Sequence, residues 1–560
     1  MRPRLCLSLF LVGFAARAYP QTGTDLERAR GNPLGRILGS FTPPPISTGS
    51  GRRDDCLQAL VRDGKLPLSE ADAVRLALEN NVDINVERYA PYFSLWGIEK
   101  GRAVLNPSVA LTTNMNRLVT PTSSVLEGGD TLFNLTTLYD FTVHKPFESG
   151  LDFDLNFTTR RLRSDSFFYS INPSLSSTLN LSFTQHLLKD FGRISRGRFL
   201  RVARTNYNMA EEEFATRVSD VLVSALGAYW DLVFLDQDIR VKEDSLKLAQ
   251  VVLEQNRVQA SVGTMAALDV VQAEAEVAAR NEQLVAAQYN RRIVEDQLKK
   301  LISSRPDPGV IAAEVVPTTE PSPPPAPSEV GEAVARALEV RPEVKRLELE
   351  LENRSVQVEY ARNQVRPTLD FVASFSQNGI GGTRINRDFS RTLIGAPILS
   401  VEPGGFRDTL GQLFGGRFLG YAFGFNLLLP LGNDEARASS AQARIEHSRT
   451  EERLRSVRQR LAVEVREAHH RMARERARVA AAEATVHYGE ERLRAEQDKH
   501  SVGEGTTRAV LEAQRDLEDA RSRLARAKTD LVKSRVALDR STGSLLANYN
   551  IEVKSEQRLR

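Results

Sequence analysis

The sequence has little cysteine and almost no net charge. Of its 560 residues only two are cysteines, Cys6 and Cys56. Because Cys6 lies in a segment that we expect to be removed, an intrachain disulfide is excluded. The 75 Lys and Arg residues nearly balance the 72 Asp and Glu residues, which gives a formal net charge of +3. This balance excludes the basic field typical of nucleic-acid-binding domains, so we expect no nucleic-acid partner.

Motifs of enzyme chemistry are also missing. The sequence contains no H-E-x-x-H, P-loop, dinucleotide-binding or G-x-S-x-G pattern. It has seven histidines, and the adjacent pair His469 and His470 would point to different sides of a helix. We therefore expect neither an enzyme nor a metal or cofactor site.

No stretch after the N-terminus reaches the roughly 18 consecutive apolar residues expected of a transmembrane helix. The N-terminus, MRPRLCLSLFLVGFAARA, has two arginines, then a short apolar run, then Ala16-Arg17-Ala18. These features are typical of a secretory signal peptide cleaved after Ala18. We predict that residues 1–18 are removed and the mature chain is exported. The segment 19–66 is rich in Gly, Pro and Ser and is predicted to be irregular.

The rest of the chain contains two copies of one pattern. The segment SVGTMAALDVVQAEA (261–275) recurs about 240 residues later as SVGEGTTRAVLEAQR (501–515). Residues 73–79 likewise resemble residues 333–339. Self-similarity at a fixed offset indicates a structural duplication. We therefore divide the chain into repeat 1 (67–302), a proline-rich linker (303–328), repeat 2 (329–547) and a C-terminal tail (548–560).

Proline is absent from a long block of each repeat. None occurs from Ser174 to Arg305 or from Leu431 to the C-terminus. Because proline costs about 3 kcal/mol inside a helix, these blocks favour long helices. The predicted helices are 69–104, 195–260 and 266–302 in repeat 1, and 329–366, 433–500 and 506–547 in repeat 2. At 1.5 Å per residue the longest reach about 100 Å, so each repeat is predicted as one long helix antiparallel to two stacked shorter ones.

The last of these helices carries a seven-residue repeat of apolar side chains. The repeating positions are Val510, Leu517, Leu524, Leu531, Leu538 and Leu545. A second line of small side chains runs from Ala513 to Ser541. This pattern is typical of a coiled coil whose helices approach closely.

Between the first and second helix of each repeat the periodicity changes to two. In LDFDLNFTT (151–159) the apolar residues share one face and the polar residues the other, and FLGYAFGFNLLLP (418–430) alternates similarly. We predict strands within 107–188 and 367–430. With the helices committed to a coiled coil, the pattern favours a membrane β-barrel over a soluble sheet. Four to six strands are too few to close a barrel, so copies of the chain are predicted to pool their strands.

Several segments, in this order, resemble the TolC family of outer-membrane efflux proteins. They are LPLSEADAVRLALENNVDI (66–84), LNLSFTQHLLKDFGR (179–193), VSALGAYWDLVFLDQDIRV (223–241) and the duplicated segments at 261 and 501. The resemblance implies an α+β membrane protein, a homotrimer whose transmembrane β-barrel continues into a long periplasmic α-helical coiled-coil barrel. It also implies location in the outer membrane, extending into the periplasm, with a periplasmic adaptor protein and an inner-membrane transporter as partners.

The resemblance also assigns candidate site residues. The duplicated segments correspond to the family's two hairpin tips, which meet the adaptor; the candidate contacts are Val262, Gly263, Thr264, Val502, Gly503 and Glu504. A helix that reverses direction there favours a residue free to adopt positive φ, which Gly263 and Gly503 supply. The alternative is that these glycines only form turns and meet no partner. The family's acidic tunnel constriction corresponds to Ala509 and Glu512 in repeat 2 and to Asp269 and Gln272 in repeat 1. Glu512 and Asp269 are therefore candidate constriction residues, and an ordinary solvated helix face is the alternative.

Two functions follow from these patterns. One is an outer-membrane exit channel for an efflux or type I secretion system, and the other is an exported coiled-coil scaffold without channel activity. Within the first, drugs, metals and proteins all remain open as cargo.

Overall fold

A computed structural model describes Leu57 and residues 60–122, 130–263, 266–327, 329–390, 396–502 and 504–552. The chain divides into two units, residues 1–53 and 54–560, and every described residue belongs to the second. The predicted signal peptide, Thr264 and Gly503 lie outside the described residues.

Repeat 1 begins with a short strand and continues with three helices, four long strands and two further helices. Its elements are β1 (Lys65–Leu68), α1 (Glu70–Asn80), α2 (Val82–Glu87), α3 (Tyr89–Ala103), β2 (Ser108–Pro121), β3 (Thr131–Pro146), β4 (Leu151–Ser164), β5 (Ile171–His186), α4 (Gly197–Ser261) and α5 (Ala267–Ile302).

The linker and repeat 2 supply the remaining elements. They are α6 (Pro308–Ala312), β6 (Glu314–Pro317), α7 (Val330–Val340), α8 (Pro342–Gln364), β7 (Thr368–Arg387), β8 (Ile398–Glu402), α9 (Phe406–Phe414), β9 (Leu419–Leu428), α10 (Asp434–Ser501), α11 (Thr507–Thr542) and α12 (Leu545–Asn548).

The two long helices organise the helical layer. α4 has 65 residues and α10 has 68, so each reaches about 100 Å. In the half that contains the tips, the packing order is α10, α11, α4 and α5. In the half next to the sheet, the order is α3, α4, α8 and α10. Each long helix thus packs against shorter helices that follow one another along it.

The predicted first helix of each repeat is interrupted. Asn81 ends α1 and caps α2, where its side chain accepts a hydrogen bond from the Ile84 amide at 3.1 Å. Its Nδ2 also donates to the Leu301 carbonyl at 3.0 Å, which fixes this break against the end of α5. In repeat 2 the break falls at Pro342, which begins α8 because proline lacks the amide hydrogen of a helix interior.

The main core surrounds the middle of α4. Tyr229 and Trp230 are fully buried there, with Leu298 of α5. α4 is also the one described helix with an 18-residue stretch apolar enough to cross a membrane, and half of that stretch is buried inside the protein. Packing in this core therefore accounts for the apolar run.

Two segments predicted to be irregular contribute to this core. β1 pairs in parallel with β6, from Lys65 with Glu314 to Leu68 with Pro317. Leu66, Leu68 and Val315 are fully buried, so neither the 19–66 segment nor the proline-rich linker is wholly without structure. The Tyr229 hydroxyl donates to the Leu68 carbonyl and accepts from the Thr319 amide, both at 3.2 Å, and thereby joins the two segments. The four-residue strands were too short to show a period.

The sheet contains seven antiparallel strands in the order β2-β3-β4-β5-β7, with β8 and β9 both paired to the other side of β7. β9 pairs with Thr368–Gln377 and β8 with Arg384–Arg387. Helix α9 lies between these two pairings, and the sequence periodicity did not predict it. Repeat 1 thus contributes four strands, and repeat 2 contributes two long strands and a short one.

Candidate functional site

The first tip joins α4 to α5 and turns at Gly263. This residue has a φ of +77°, a conformation that other L residues rarely adopt, and nothing lies within 4 Å of the position a Cβ would take. Its amide donates to the Ala260 carbonyl at 3.1 Å, which satisfies a carbonyl at the end of α4. Val262 beside it is exposed. The backbone at Gly263 therefore needs glycine, while its surroundings leave room for a partner.

The second tip joins α10 to α11 with a different backbone. The amides of Glu504 and Gly505 both donate to the Lys499 carbonyl, at 2.9 and 3.1 Å. The Thr506 side chain then caps α11 by accepting from the Ala509 amide at 3.3 Å. A Cβ on Gly505 would lie 2.8 Å from the His500 amide nitrogen, so this glycine is required for close backbone packing. Sequence comparison missed Gly505 because repeat 1 has no glycine at the matching position.

Exposed apolar side chains distinguish the first tip. Val258, Leu268 and Val271 accompany Val262, and each is more than half exposed. At the second tip, Val502 is exposed, and Glu504 is an exposed charge. The predicted contact residues thus lie at accessible positions, with more apolar surface on the first tip than on the second.

The two predicted constriction residues lie on different helices. Glu512 is exposed on the second turn of α11 and makes no ion pair with any residue that the structure describes. Asp269 is half-buried in the first turn of α5, and its carbonyl accepts from Asn256 Nδ2 at 3.4 Å. Within one chain the structure does not bring these two carboxylates into contact.

A buried charge network links α4, α5 and α11 between the tips and the sheet. Arg280 of α5 binds Glu276 at 2.8 Å and also contacts Glu518 of α11. Arg515 binds Glu276 at 2.5 Å. Lys242 of α4 lies 3.8 Å from Glu518. Glu276, Arg280 and Glu518 are all buried.

The charges in this network neutralise one another. Desolvation raises the pKa of Glu276, but hydrogen bonds and charges from Arg280 and Arg515 outweigh it, so the pKa lies below the ordinary value. Sequence patterns missed the network because each residue resembles one of a solvated face, and only the packing of α11 against α4 and α5 buries it.

A second polar cluster lies where the sheet meets the helices. His144 Nδ1 is 2.6 Å from Asp154, and His186 Nδ1 is 2.7 Å from Asp370. Arg196, just before α4, binds Asp152 at 2.8 Å, and Asp152 lies 3.6 Å from His186. These strand residues lie on the face opposite Phe153 and Phe183, so polar and apolar faces alternate as the sequence predicts. Among the described residues, no group of His, Cys, Asp or Glu is arranged to hold a metal ion.

Comparison with known proteins places this architecture in a family. Residues 145–304 and 333–544 match the outer membrane efflux protein family, and the chain belongs to it. The match begins at Lys145, so β2 and most of β3 lie outside it. No curated protein sequence matches the chain.

Solved structures have the same fold. They include the outer membrane protein VceC of Vibrio cholerae (TM-score 0.58, 16% identity, covering 85% of this chain and 96% of that one). The CmeC channel of Campylobacter jejuni has a TM-score of 0.58 and 16% identity, over 90% of this chain and 94% of that one. The open MtrE channel of Neisseria gonorrhoeae has a TM-score of 0.57 and 16% identity, over 85% and 89%.

The predicted family and location are confirmed. The protein is an outer-membrane exit channel of efflux systems that extends into the periplasm. Nothing supports the alternative of an exported scaffold without channel activity.

Proposed function

We propose that three copies of this chain form one transmembrane β-barrel continued by a periplasmic helical tunnel. Through this tunnel, cargo from an inner-membrane transporter and a periplasmic adaptor leaves the cell. The observation that carries the proposal is that the sheet and the helical layer of one chain both end in open edges.

The long strands at the open edges of the sheet are β2 and β9. Both strands are almost wholly exposed, and each has a strand partner on one side only. Unpaired backbone groups are not tolerated in lipid, so these edges require strands from another copy. If the six long strands of each chain all enter the barrel, three chains give about 18 strands. The family resemblance supplies the number three.

The open edges of the helical layer carry apolar side chains. α3 exposes Phe93 and Trp96, and α5 exposes Tyr289 and Ile293. α10, at the other edge, exposes Ile445, Val463 and Tyr488. Exposed apolar surface of this kind is typical of an interface. We therefore assign α10 of one copy to pack against α3 and α5 of the next.

The tips are assigned to the adaptor. Val262, Gly263, Thr264, Val502, Gly503 and Glu504 are the proposed contacts, supported by the exposure of the described members. Apolar side chains on the first tip suit a hydrophobic partner surface.

Glu512 and Asp269 are assigned to the tunnel constriction. The exposed, unpaired carboxylate of Glu512 would attract cations if three copies met at the tunnel axis. In planar bilayers, Glu512→Gln should then reduce cation preference, whereas Glu504→Gln at the tip serves as the matched acidic control. Equal reversal potentials for wild type and Glu512→Gln would assign Glu512 to a solvated face.

The trimer is tested by mass and by conductance. Detergent-solubilised protein should scatter light as about three chains and should insert into planar bilayers as discrete conducting units. A monodisperse monomer would overturn the shared barrel. A trimer that never conducts would favour the scaffold.

A further inference from the structure

Helix α9 lies on the lipid-facing side of the sheet. On β7, Gly379 and Gly381 share the face of Phe371 and Phe375, because side chains alternate along a strand. A Cβ on either glycine would collide with Thr409 of α9. The two glycines therefore allow the helix to lie directly on this face.

Hydrogen bonds hold α9 in this position. The Thr409 hydroxyl donates to the Leu175 carbonyl of β5 at 3.3 Å. The Ile380 amide of β7 donates to Gln412 Oε1 at 3.1 Å, at a point where β7 has no strand partner on that side. Thr409 and Leu413 are buried beneath the helix, while Phe406 and Phe414 are exposed.

Arginines of β4 and β2 lie on the same face of the sheet as α9, which packs on β7 and β5. Arg161 of β4 is paired with Leu175, the residue that accepts the hydrogen bond from Thr409. Arg163 follows on the same face and pairs with Leu135, which also pairs with Arg117 of β2. Arg407 and Arg417 add charge from α9 and from the segment after it. We call Arg117, Arg161, Arg163, Arg407 and Arg417 the outer basic surface.

None of these five arginines makes an ion pair with a carboxylate among the described residues. Two acidic residues of this region, Asp165 and Asp408, accept hydrogen bonds from backbone amides. Asp165 accepts from the Phe133 amide at 2.7 Å, and Asp408 accepts from the Gly405 amide at 2.7 Å. Arg117 instead lies over the Phe133 ring at 5.5 Å. The outer basic surface therefore combines guanidinium groups that form no ion pair among the described residues with exposed aromatic rings.

The distance from the helical end of the sheet to the outer basic surface matches the thickness of the apolar band of the membrane. The apolar residues of β4 begin at Leu151, at the helical end of the sheet, and Arg161 lies about ten residues further on. On a strand tilted by about 40°, that distance rises roughly 25 Å, which is the height of the apolar band of an outer-membrane barrel. Because the helices extend into the periplasm, the outer basic surface lies at the outer leaflet.

We propose that the outer basic surface binds the phosphorylated, multiply acylated glycolipid of the outer leaflet. Guanidinium groups bind phosphate through paired hydrogen bonds, and the rings of Phe406 and Phe414 contact the adjoining acyl chains. The proposal rests on the membrane location of the sheet and is independent of the adaptor and of the constriction. It gives α9 a role as an anchor that fixes the depth of the channel in the membrane.

The test compares neighbouring arginines on opposite faces of β4, Arg161 and Arg163 on one face and Arg160 on the other. Purified protein in detergent is incubated with a bis-phosphorylated, hexa-acylated glycolipid, and bound lipid is measured by native mass spectrometry. We expect Arg161→Gln with Arg163→Gln to reduce retention at least tenfold. Arg160→Gln, which alters the opposite face of β4, should retain the lipid as wild type does. Phe414→Ser should reduce retention by a smaller factor.

Further arms identify the ligand. A dephosphorylated glycolipid should bind weakly to every variant, and millimolar inorganic phosphate should not displace the intact lipid. Equal retention by wild type and the double variant, equal loss in Arg160→Gln, or displacement by phosphate alone would each overturn the proposal. Light scattering and bilayer conductance on the same samples report the trimer and the channel separately, so failure of the proposed function is distinguished from failure of lipid binding.

Discussion

Helices α5 and α11 occupy the same place in the two repeats and both have 36 residues, but they differ in what they bury. α11 buries 17 residues because it packs between α10 and α4, whereas α5 buries nine because it packs mainly along α4. The continuous heptad occurs only in α11. The two helices are therefore similar in position and length because of the duplication. Their different neighbours explain why only α11 has apolar side chains on two sides.

The largest effect is expected at Glu518, through which α11 is tied to Arg280 of α5. Replacing this buried carboxylate, Glu518→Ala, leaves Arg280 and Lys242 without their partner on α11, which should lower the free energy of unfolding by about 3–5 kcal/mol. The exposed Glu512→Ala on the same helix should change it by less than about 0.5 kcal/mol. Denaturant unfolding followed by circular dichroism measures both. Equal changes in the free energy of unfolding for the two variants would mean that the buried charge network does not stabilise the fold.

The next largest effect is expected from the seam itself. Leu531 is buried against Ala468 and Met472 of α10, so Leu531→Ala should cost about 2–4 kcal/mol. Val285 of α5 is exposed in one chain, so Val285→Ala should cost little in a dissociated monomer and more in the proposed trimer, where α10 of the next copy packs against α5. Thermal unfolding in detergent compares the two. A large effect at Val285 would show that α5 is covered by another copy. In that case α5 and α11 would both be packed on two sides.

A smaller effect is expected at the tips. Gly263→Val forces positive φ on a β-branched residue and should cost about 1–2 kcal/mol, confined to the turn. Gly505→Val should disturb its tip by collision with the His500 backbone instead. Hydrogen exchange should rise at residues 255–270 in the first variant and at 495–510 in the second. Unchanged exchange in Gly263→Val would mean that the turn relaxes without strain.

The smallest effect is the acid response of the network. Because the pKa of Glu276 is below the ordinary 4.5, its stabilising contribution is present above that pH and is lost as the pH falls through the folded-state pKa. Wild-type protein should therefore lose more thermal stability between about pH 5 and pH 3 than Glu276→Gln does. Parallel pH profiles of the melting temperature would contradict the assigned charge of Glu276.

Local patterns predicted much of this protein. The absence of proline and the apolar periodicity indicate the long helices, and alternation along 151–159 indicates which face of the sheet is apolar. The turn at Gly263 also follows from its sequence. Each of these features depends on residues close together in the chain, where backbone preferences act directly.

Other features depend on contacts between distant segments. Leu66 pairs with Val315 and Arg280 meets Glu518, although nothing near either residue indicates its partner. In the sequence, Gly379 and Gly381 indicate only a weakened strand. The structure shows that they leave room for Thr409 of α9.

The sequence by itself determined the duplicated plan, the long helices and the two-faced strands, because periodicity and proline placement act along the chain. Only the tertiary structure decided that, within one chain, α11 rather than α5 is packed on both sides, that the linker completes the core, and that α9 lies on the apolar face. Burial, ion pairing and close backbone approach are properties of pairs of segments, and they appear only when the fold brings those segments together.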